Sequence, residues 1–287
     1  MKATTIQQFF KRFSSDDVCL KHLFDVRFGQ NHNCPKCLKD SKWYPIKAER
    51  AFSCGNCGYH LHPTVGTIFE DSKTSLQLWF YAIYLFTTTR SGVSAKELQR
   101  QLGITYKCAW RMGHKIREHM TEVDGDDKLG GVVEVDETYI GGKQKGKRGR
   151  GASGKTIVFG MLQKNGDVMT KIVNYVKAKT LQTIIEANVE QKSEIQSDEL
   201  LSYRGIDKRG FTHSKVNHGS GQYVSKSGST VNSIEGFWSR LKLSIKGTHI
   251  HASKKHLAKY AGEFEYRYNS RNCPELMLEE LLTSFEK

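Results

Sequence analysis

Two tight cysteine pairs, "CPKC" at 34–37 and "CGNC" at 54–57, constrain this chain more than any other feature of it. Each Cys-x-x-Cys turn presents two thiols from one bend, and two such turns sixteen residues apart can close a tetrahedral site around one zinc ion. Between them "KWYPIKA" and "RAFSC" alternate well enough for short strands, so a zinc ribbon is expected over 31–66. Its ligands would be Cys34, Cys37, Cys54 and Cys57; His60 and His62 lie close by but are not needed to complete four. Disulfides or redox pairs are the other uses of this spacing. Cys19, Cys108 and Cys273 are scattered, which makes a poor disulfide framework.

The charge balance points to a partner. Lys and Arg total 44 against 30 Asp and Glu, a net charge of +14, and an excess of that size suits a polyanion whose counterions are released on contact. An anionic membrane surface fits less well, because no basic amphipathic helix stands out. The longest apolar run, "LQLWFYAIYLF" (76–86), is too short to span a bilayer. The opening "MKATTIQQFFKRFSSDD" lacks the apolar core and small-residue cleavage site of a secretion signal, so a cytoplasmic location is expected.

Helical patterns surround the ribbon. Residues 1–30 read as helical, with Ser and Asp at a cap in "SSDDVCLKHLFDVRFG", and 75–89 read as a buried helix. The stretch "SAKELQRQLGITYKCAWRMGHKIREHM" (94–120) predicts helix, tight turn at Gly103, and helix, with Ser94 and Glu97 placed for a capping box. This fits a DNA-binding helix-turn-helix, with Arg111, His114, Lys115 and Arg117 on or near the polar side of the second helix; it also fits a plain helical hairpin. The polar break "VDGDDKLGG" (123–131) marks a boundary near 125. The expected divisions are a helical segment (1–30), the ribbon (31–66), a helical helix-turn-helix region (67–125) and a domain of mixed strands and helices (126–287).

Beyond the break, strands and helices mix. "VVEVDETYI" (132–140), "TIVFGMLQ" (156–163), "DVMTKIVNYV" (167–176) and "EIQSD" (194–198) read as strands, with Asn165-Gly166 turning a hairpin. Helices are predicted over 180–190, 229–247 and 253–271. The basic, glycine-rich segment 141–155 cannot bury a core and contains Lys147, Arg148 and Arg150, placed to grip a phosphate backbone. The first strand carries Glu134, Asp136 and Glu137 among β-branched valines, where an unpartnered acid is costly. Asp136 near that strand's end, Asp198 at the end of a later strand and Glu235 on a helix could together hold two divalent ions. Hard carboxylate oxygens suit Mg²⁺ or Mn²⁺. On spacing alone, solvated or capping roles fit each acid equally.

Across nearly its whole length the chain resembles the zinc-ribbon insertion-sequence transposases of the ISXO2-like group, also called the IS1595 family. The resemblance is carried in order by "CPKC…CGNC", "GTIFED", "ELQRQLGITYKCAWRM", "VEVDETYIGGK", "SDELLSYRG", "VNH", "NSIEGFWSRLK" and "GTHIHASKKHLAKYAGEFEYRYNSR". It implies an α/β, RNase H-like catalytic core, a mixed sheet flanked by helices, following the ribbon and a helical region. It also implies an acidic triad, matched here by Asp136, Asp198 and Glu235, with Lys242 two turns further along the helix where it could contact DNA phosphate. Parts of the family have Asn at the third position, which keeps Asn232 beside Glu235 as a candidate. Where many relatives read Asp-Gly, this chain reads Asp198-Glu199. His218 and Tyr203 resemble residues lining such sites, with core packing as the alternative.

The implied activity is metal-dependent cleavage of DNA at an element's ends followed by strand transfer. The implied partners are double-stranded DNA, as terminal inverted repeats and as target, and further copies of the chain assembled on it. A structure-specific nuclease without strand transfer and a non-catalytic zinc-ribbon DNA-binding regulator are the other readings. Unchanged DNA joining by an Asp136→Ala variant would remove the catalytic role of that acid.

Overall fold

A computed structural model describes residues 4–29, 32–46, 48–141, 154–216 and 231–285. It divides into two compact units, Met1–His119 with Cys273–Lys287, and Met120–Asn272.

In the first unit the N-terminal helical segment is two helices, α1 (Ile6–Arg12) and α2 (Asp16–Phe28). Each has its own cap: Thr5 accepts the N–H of Gln8, and Ser15 accepts that of Val18. The ribbon follows as antiparallel strands β1 (Trp43–Ile46), β2 (Ala51–Cys54) and β3 (His60–Leu61). Then come α3 (Leu76–Thr88), α4 (Ala95–Leu102) and α5 (Tyr106–Asp124). Gly103 ends α4 in the left-handed region at φ 65, which a glycine adopts without Cβ strain, and so makes the tight turn before α5. The expected capping box on α4 is half formed. Ser94 accepts the N–H of Glu97, but the Glu97 carboxylate is taken by Gln101 and Arg100 on its own helix. The helix Met277–Thr283 belongs to this unit, where Arg12 forms an ion pair with Glu279. Aromatic rings fill the core: Phe13 meets Phe80 edge-on at 5.0 Å, and Phe69 meets Trp79 at 5.6 Å.

The second unit is built on five strands: β4 (Val132–Ile140), β5 (Thr156–Gln163), β6 (Val168–Val173), β7 (Glu194–Ser197) and β8 (Thr212–Lys215). Their order is β6-β5-β4-β7-β8. The pairs β4–β5 and β5–β6 are antiparallel hairpin neighbours, whereas β4–β7 and β7–β8 are parallel. Parallel neighbours need a crossover, and α6 (Ala178–Asn188) supplies it between β6 and β7. No side chain caps α6, which begins at Ala178, so Thr180 lies inside its first turn.

Helices cover both faces of the sheet, which is why β4 is buried on both sides, its acids included. One face buries Val133, Val135, Phe159, Met161 and Ile195 with Leu181 and Ile185 of α6. The other buries Val158, Leu162 and Val168 under Ile234, Phe237, Trp238 and Leu241 of α7 (Asn232–Ser244), with Leu257 of α8 (Leu257–Asn269). The helix expected over 229–247 continues past Ser244 as one wider π turn, Ile245–His249. A mixed five-stranded sheet with helices on each face is the RNase H-like architecture the resemblance implies. Among the described residues, no helix is long and apolar enough to cross a membrane.

Candidate active site

The acids of β4 have three different surroundings, set by the alternation of a strand. Glu134 and Asp136 point to the α7 face; Glu137 points to the other. Glu134 is fully buried, and its Oε2 accepts the backbone N–H of Ile234 in the first turn of α7 at 2.9 Å. Glu137 is buried and accepts the hydroxyl of Tyr203 at 3.0 Å. Asp136 accepts Trp238 Nε1–H at 3.1 Å. Its pairing partner across the ladder is Gly160, and the Trp238 indole occupies the space that a side chain at 160 would fill.

Register brings the second acid to the first. The parallel pairing of β7 with β4 sets Ser197 opposite Val135, so Asp198, one residue on, falls beside Asp136 on the same face. Asp198 turns the chain out of the sheet, its carboxylate accepting the N–H of Leu200 at 2.9 Å. Ser197, fully buried, bonds His213 Nε2 of β8 at 2.9 Å and donates to the Asp198 carbonyl at 3.0 Å, which fixes this strand end. Burial, and then the Glu137, Asp136 and Asp198 carboxylates, push the Tyr203 phenol well above its ordinary range.

The third acid comes from α7. Glu235 is exposed in its first turn, Trp238 lies one turn on, and Lys242 follows after another. Asn232 is the first residue of α7 and is exposed. Partial burial pushes the Lys242 ammonium down, against the pull of Asp136 and with help from Lys155. Burial raises the Asp136 carboxyl to about 7, helped by Glu137, Asp198 and Glu235 and opposed by a hydrogen bond from the Glu137 backbone. Asp198 and Glu235 thus lie near enough to act on Asp136 through space. The oxygens of the three acids do not all lie within 4.8 Å of one another, as ligands crowding a single ion would.

The four ribbon cysteines do form such a set, the only one among the described residues. The two knuckles have the same backbone. Cys34 N–H bonds Lys39 O and Leu38 N–H returns to Cys34 O; Cys54 N–H bonds Tyr59 O and Gly58 N–H returns to Cys54 O. Leu38 and Gly58, the residues after each pair, are both left-handed, at φ 58 and 69. Sulfur separations are 3.6 Å for Cys34–Cys57 and 3.9 Å for Cys37–Cys54. A tetrahedron of thiolates with Zn–S bonds of about 2.3 Å has edges of about 3.8 Å, so the site has the size of a zinc ion. Burial raises the Cys54 thiol, but the Ser41 hydroxyl and the N–H groups of Asn56 and Cys57 outweigh it and bring it down to about 6.

Two family descriptions match the chain: the ISXO2-like transposase domain over residues 128–269 and the transposase zinc-ribbon domain over 14–60. Together they cover about two-thirds of it, in this order. The chain belongs to the ISXO2-like transposase family. It is accordingly a DNA transposase with a zinc-ribbon N-terminal part. An uncharacterized protein in transposable element ISH50 of Halobacterium salinarum is 26% identical over 277 residues, 90% of this chain and 92% of that one. Among solved structures, the catalytic core domain of BIV integrase aligns over 46% of this chain and 80% of its own, at 13% identity and a TM-score of 0.33. The Mos1 strand transfer complex aligns over 72% of this chain and 78% of its own, at 12% identity and a TM-score of 0.30.

The cationic residues expected at the transposase's helix-turn-helix separate on inspection. Arg111 is exposed on α5, and Lys115 is half-buried with Nζ 3.5 Å from Glu70 O. Arg117 does not lie on the polar side: it is buried, donates to Val93 O at 2.8 Å and sits 5.1 Å over the Phe86 ring. His114 is likewise buried, its ring 4.1 Å from Trp110. These two corrections share a cause, since α5 is covered on more than one side. Lys147, Arg148, Arg150 and His218 lie outside the described residues. The sequence pattern assigns no role to Glu134, Gly160 or Ser197, and none to the Trp238 indole N–H. The available signal was the indole N–H, which needs a partner when buried.

Proposed function

We propose that Asp136, Asp198 and Glu235 are the catalytic acids of this transposase and hold two divalent cations, Mg²⁺ or Mn²⁺. The observation that carries the reading is the β4–β7 register, which sets Asp198 beside Asp136 on the face that α7 covers with Glu235 in its first turn. Carboxylates spread more widely than one coordination sphere suit a pair of ions, which Asp136, Asp198 and Glu235 would hold between them. Such ions, when bound, neutralise the attacking and leaving oxygens of a phosphoryl transfer. Asn232, one turn before Glu235, flanks the site.

The chain's own groups do the positioning. Asp136 accepts the Trp238 indole N–H at Oδ2, and Asp198 accepts the Leu200 N–H at Oδ1 in the turn that leaves the sheet. Lys242, on the helix stripe that carries Glu235, meets a DNA phosphate beside the reacting one. Water first displaces a phosphodiester oxygen at the element's end. The freed 3′-hydroxyl then displaces one in target DNA, so one P–O bond forms for each broken and no enzyme ester intervenes. Arg111 and Lys115 on α5, together with Lys147, Arg148 and Arg150, contact DNA backbone, and two copies of the chain join two ends.

Incubating the full chain with a short duplex of the element's end, a plasmid and Mg²⁺ tests this. End duplex joined to plasmid is expected, and Asp136→Ala, Asp198→Ala and Glu235→Ala should each abolish it. Cleavage without joining would favour a nuclease. Joining by Asp136→Ala would remove the catalytic role.

A further inference from the structure

The helix that carries Glu235 is fastened to the strand that carries Asp136 at two points. At one, Glu134 Oε2 accepts the backbone N–H of Ile234 at 2.9 Å; at the other, Trp238 Nε1–H donates to Asp136 Oδ2 at 3.1 Å. The spacings match. Glu134 and Asp136 are two residues apart on one face of a strand, roughly 6.5 Å. Ile234 and Trp238 are four apart on one face of a helix, roughly 6 Å. A slip of α7 by one residue, about 1.5 Å, would break both bonds together.

Each point is built for the purpose. The residue before α7, Val231, makes no side-chain cap, so the N–H groups of its first turn need partners from elsewhere. Glu134 supplies one from the sheet, with an anion at the positive end of the helix. At the second point Gly160 faces Asp136, and a Cβ there would lie 2.4 Å from Trp238 Cζ2, so only glycine lets the indole come down onto the strand. Glu235 is the residue immediately after Ile234, and its backbone position is set directly by the first bond.

We infer that Glu134 and Trp238 are positioning residues that lock the register of α7 on β4 and thereby set the separation between the Glu235 and Asp136 carboxylates. The inference rests on reading those carboxylates as the cation-holding acids. Ligand placement matters steeply there, because partners that orient metal ligands typically govern affinity by 10–100-fold. Neither residue touches DNA or a cation in this role.

The test uses the full chain and Mn²⁺, with free cation measured by electron paramagnetic resonance, beside single-turnover cleavage of the end duplex. Trp238→Phe keeps an aromatic ring on α7 but loses the N–H; Glu134→Gln keeps an acceptor for Ile234, and Glu134→Ala does not. Trp238→Phe and Glu134→Ala are expected to weaken Mn²⁺ binding about tenfold or more with circular dichroism unchanged. Glu134→Gln should recover a large part of the loss, and saturating Mn²⁺ should restore cleavage only in part. Where Glu134→Ala does not fold, Trp238→Phe and Glu134→Gln decide the matter alone. Wild-type Mn²⁺ affinity in Trp238→Phe, or equal loss in Glu134→Gln and Glu134→Ala, would overturn the inference. Asp136→Ala run alongside separates the two failures: if it still binds Mn²⁺ and cleaves, the assignment of the acids is wrong; if it does neither while Trp238→Phe and Glu134→Gln behave as wild type, only the register lock is wrong.

Discussion

Gly160 and Trp238 pack so closely that a Cβ at position 160 would lie 2.4 Å from the indole Cζ2 and 2.6 Å from Cη2. Gly160→Ala should therefore destabilise the second unit by about 1–3 kcal/mol through overpacking. It should also weaken cation binding, because the indole must move off Asp136. In a Trp238→Phe background most of the stability cost should vanish, since a phenyl ring lacks the offending atoms. Urea denaturation of the four proteins measures the coupling, and additive costs would contradict the packing argument.

With Asp136 as a proposed cation ligand, cation binding should depend on pH. Burial first, and then Glu137, Asp198 and Glu235, hold its carboxyl at about 7, far above the ordinary 3.8. Below that value a cation must displace a proton, so affinity for Mn²⁺ should climb as pH rises to about 7 and then level off. Without cation, the folded state holds this proton more tightly than the unfolded state, so stability is full below about 4 and falls as pH rises towards 7. Asp136→Asn should be more stable than wild type at pH 8 in chelator, by on the order of 1–3 kcal/mol, while binding no Mn²⁺. Thermal melts at pH 5 and pH 8 test the sign.

Glu265 should produce a second slope of the same sign. It is buried on α8, accepts both the N–H and the hydroxyl of Thr170 on β6, and burial raises it to about 8. The stability it contributes is complete below the unfolded value near 4.5 and drains away as pH rises to about 8. Glu265→Gln keeps an acceptor for Thr170 but cannot ionise. Its denaturation midpoint should change less between pH 5 and pH 9 than that of the wild type.

The ribbon should stand or fall with its metal. One zinc per chain is expected by atomic absorption, and Cys54→Ser should lose it. Zinc binding in small thiolate sites carries about 10–16 kcal/mol of apparent free energy at neutral pH, far more than three short strands can supply. Chelation should therefore expose amides 32–61 to fast hydrogen exchange while β4 and β5 stay protected. Continued protection of the ribbon without zinc would contradict this.

Arg111 and Arg117, six residues apart on α5, should behave as different kinds of residue. Arg111 is exposed, so Arg111→Ala should keep the melting temperature and reduce the salt dependence of DNA binding by about one phosphate contact. Arg117 is buried against Val93 O and Phe86, so Arg117→Ala should lower stability by about 1–3 kcal/mol. Any loss of DNA binding in that variant should track the folded fraction.

The amino-acid sequence by itself determined what depends on neighbours in the chain. The knuckles were legible because four thiols at fixed short spacing have few other uses. The strands and the α4–α5 turn were legible because alternation, a helical stripe and a glycine at a turn are local signals. Asp136, Asp198 and Glu235 were candidates by position alone, no better than solvated or capping acids, until the resemblance singled them out, since isolated acids carry no distinguishing pattern. Tertiary structure alone decided which acid does what. Glu134, Asp136 and Glu137 look alike in a row, and only the packing of α7 on one face and Tyr203 on the other turns them into acceptors of a helix N–H, an indole N–H and a phenol hydroxyl. The same holds for Gly160, which is required because a distant indole arrives there, and for Arg117, whose helix is covered where its wheel reads polar. Side-chain roles follow from what packs against them, and partners more than twenty residues away leave no trace in local spacing.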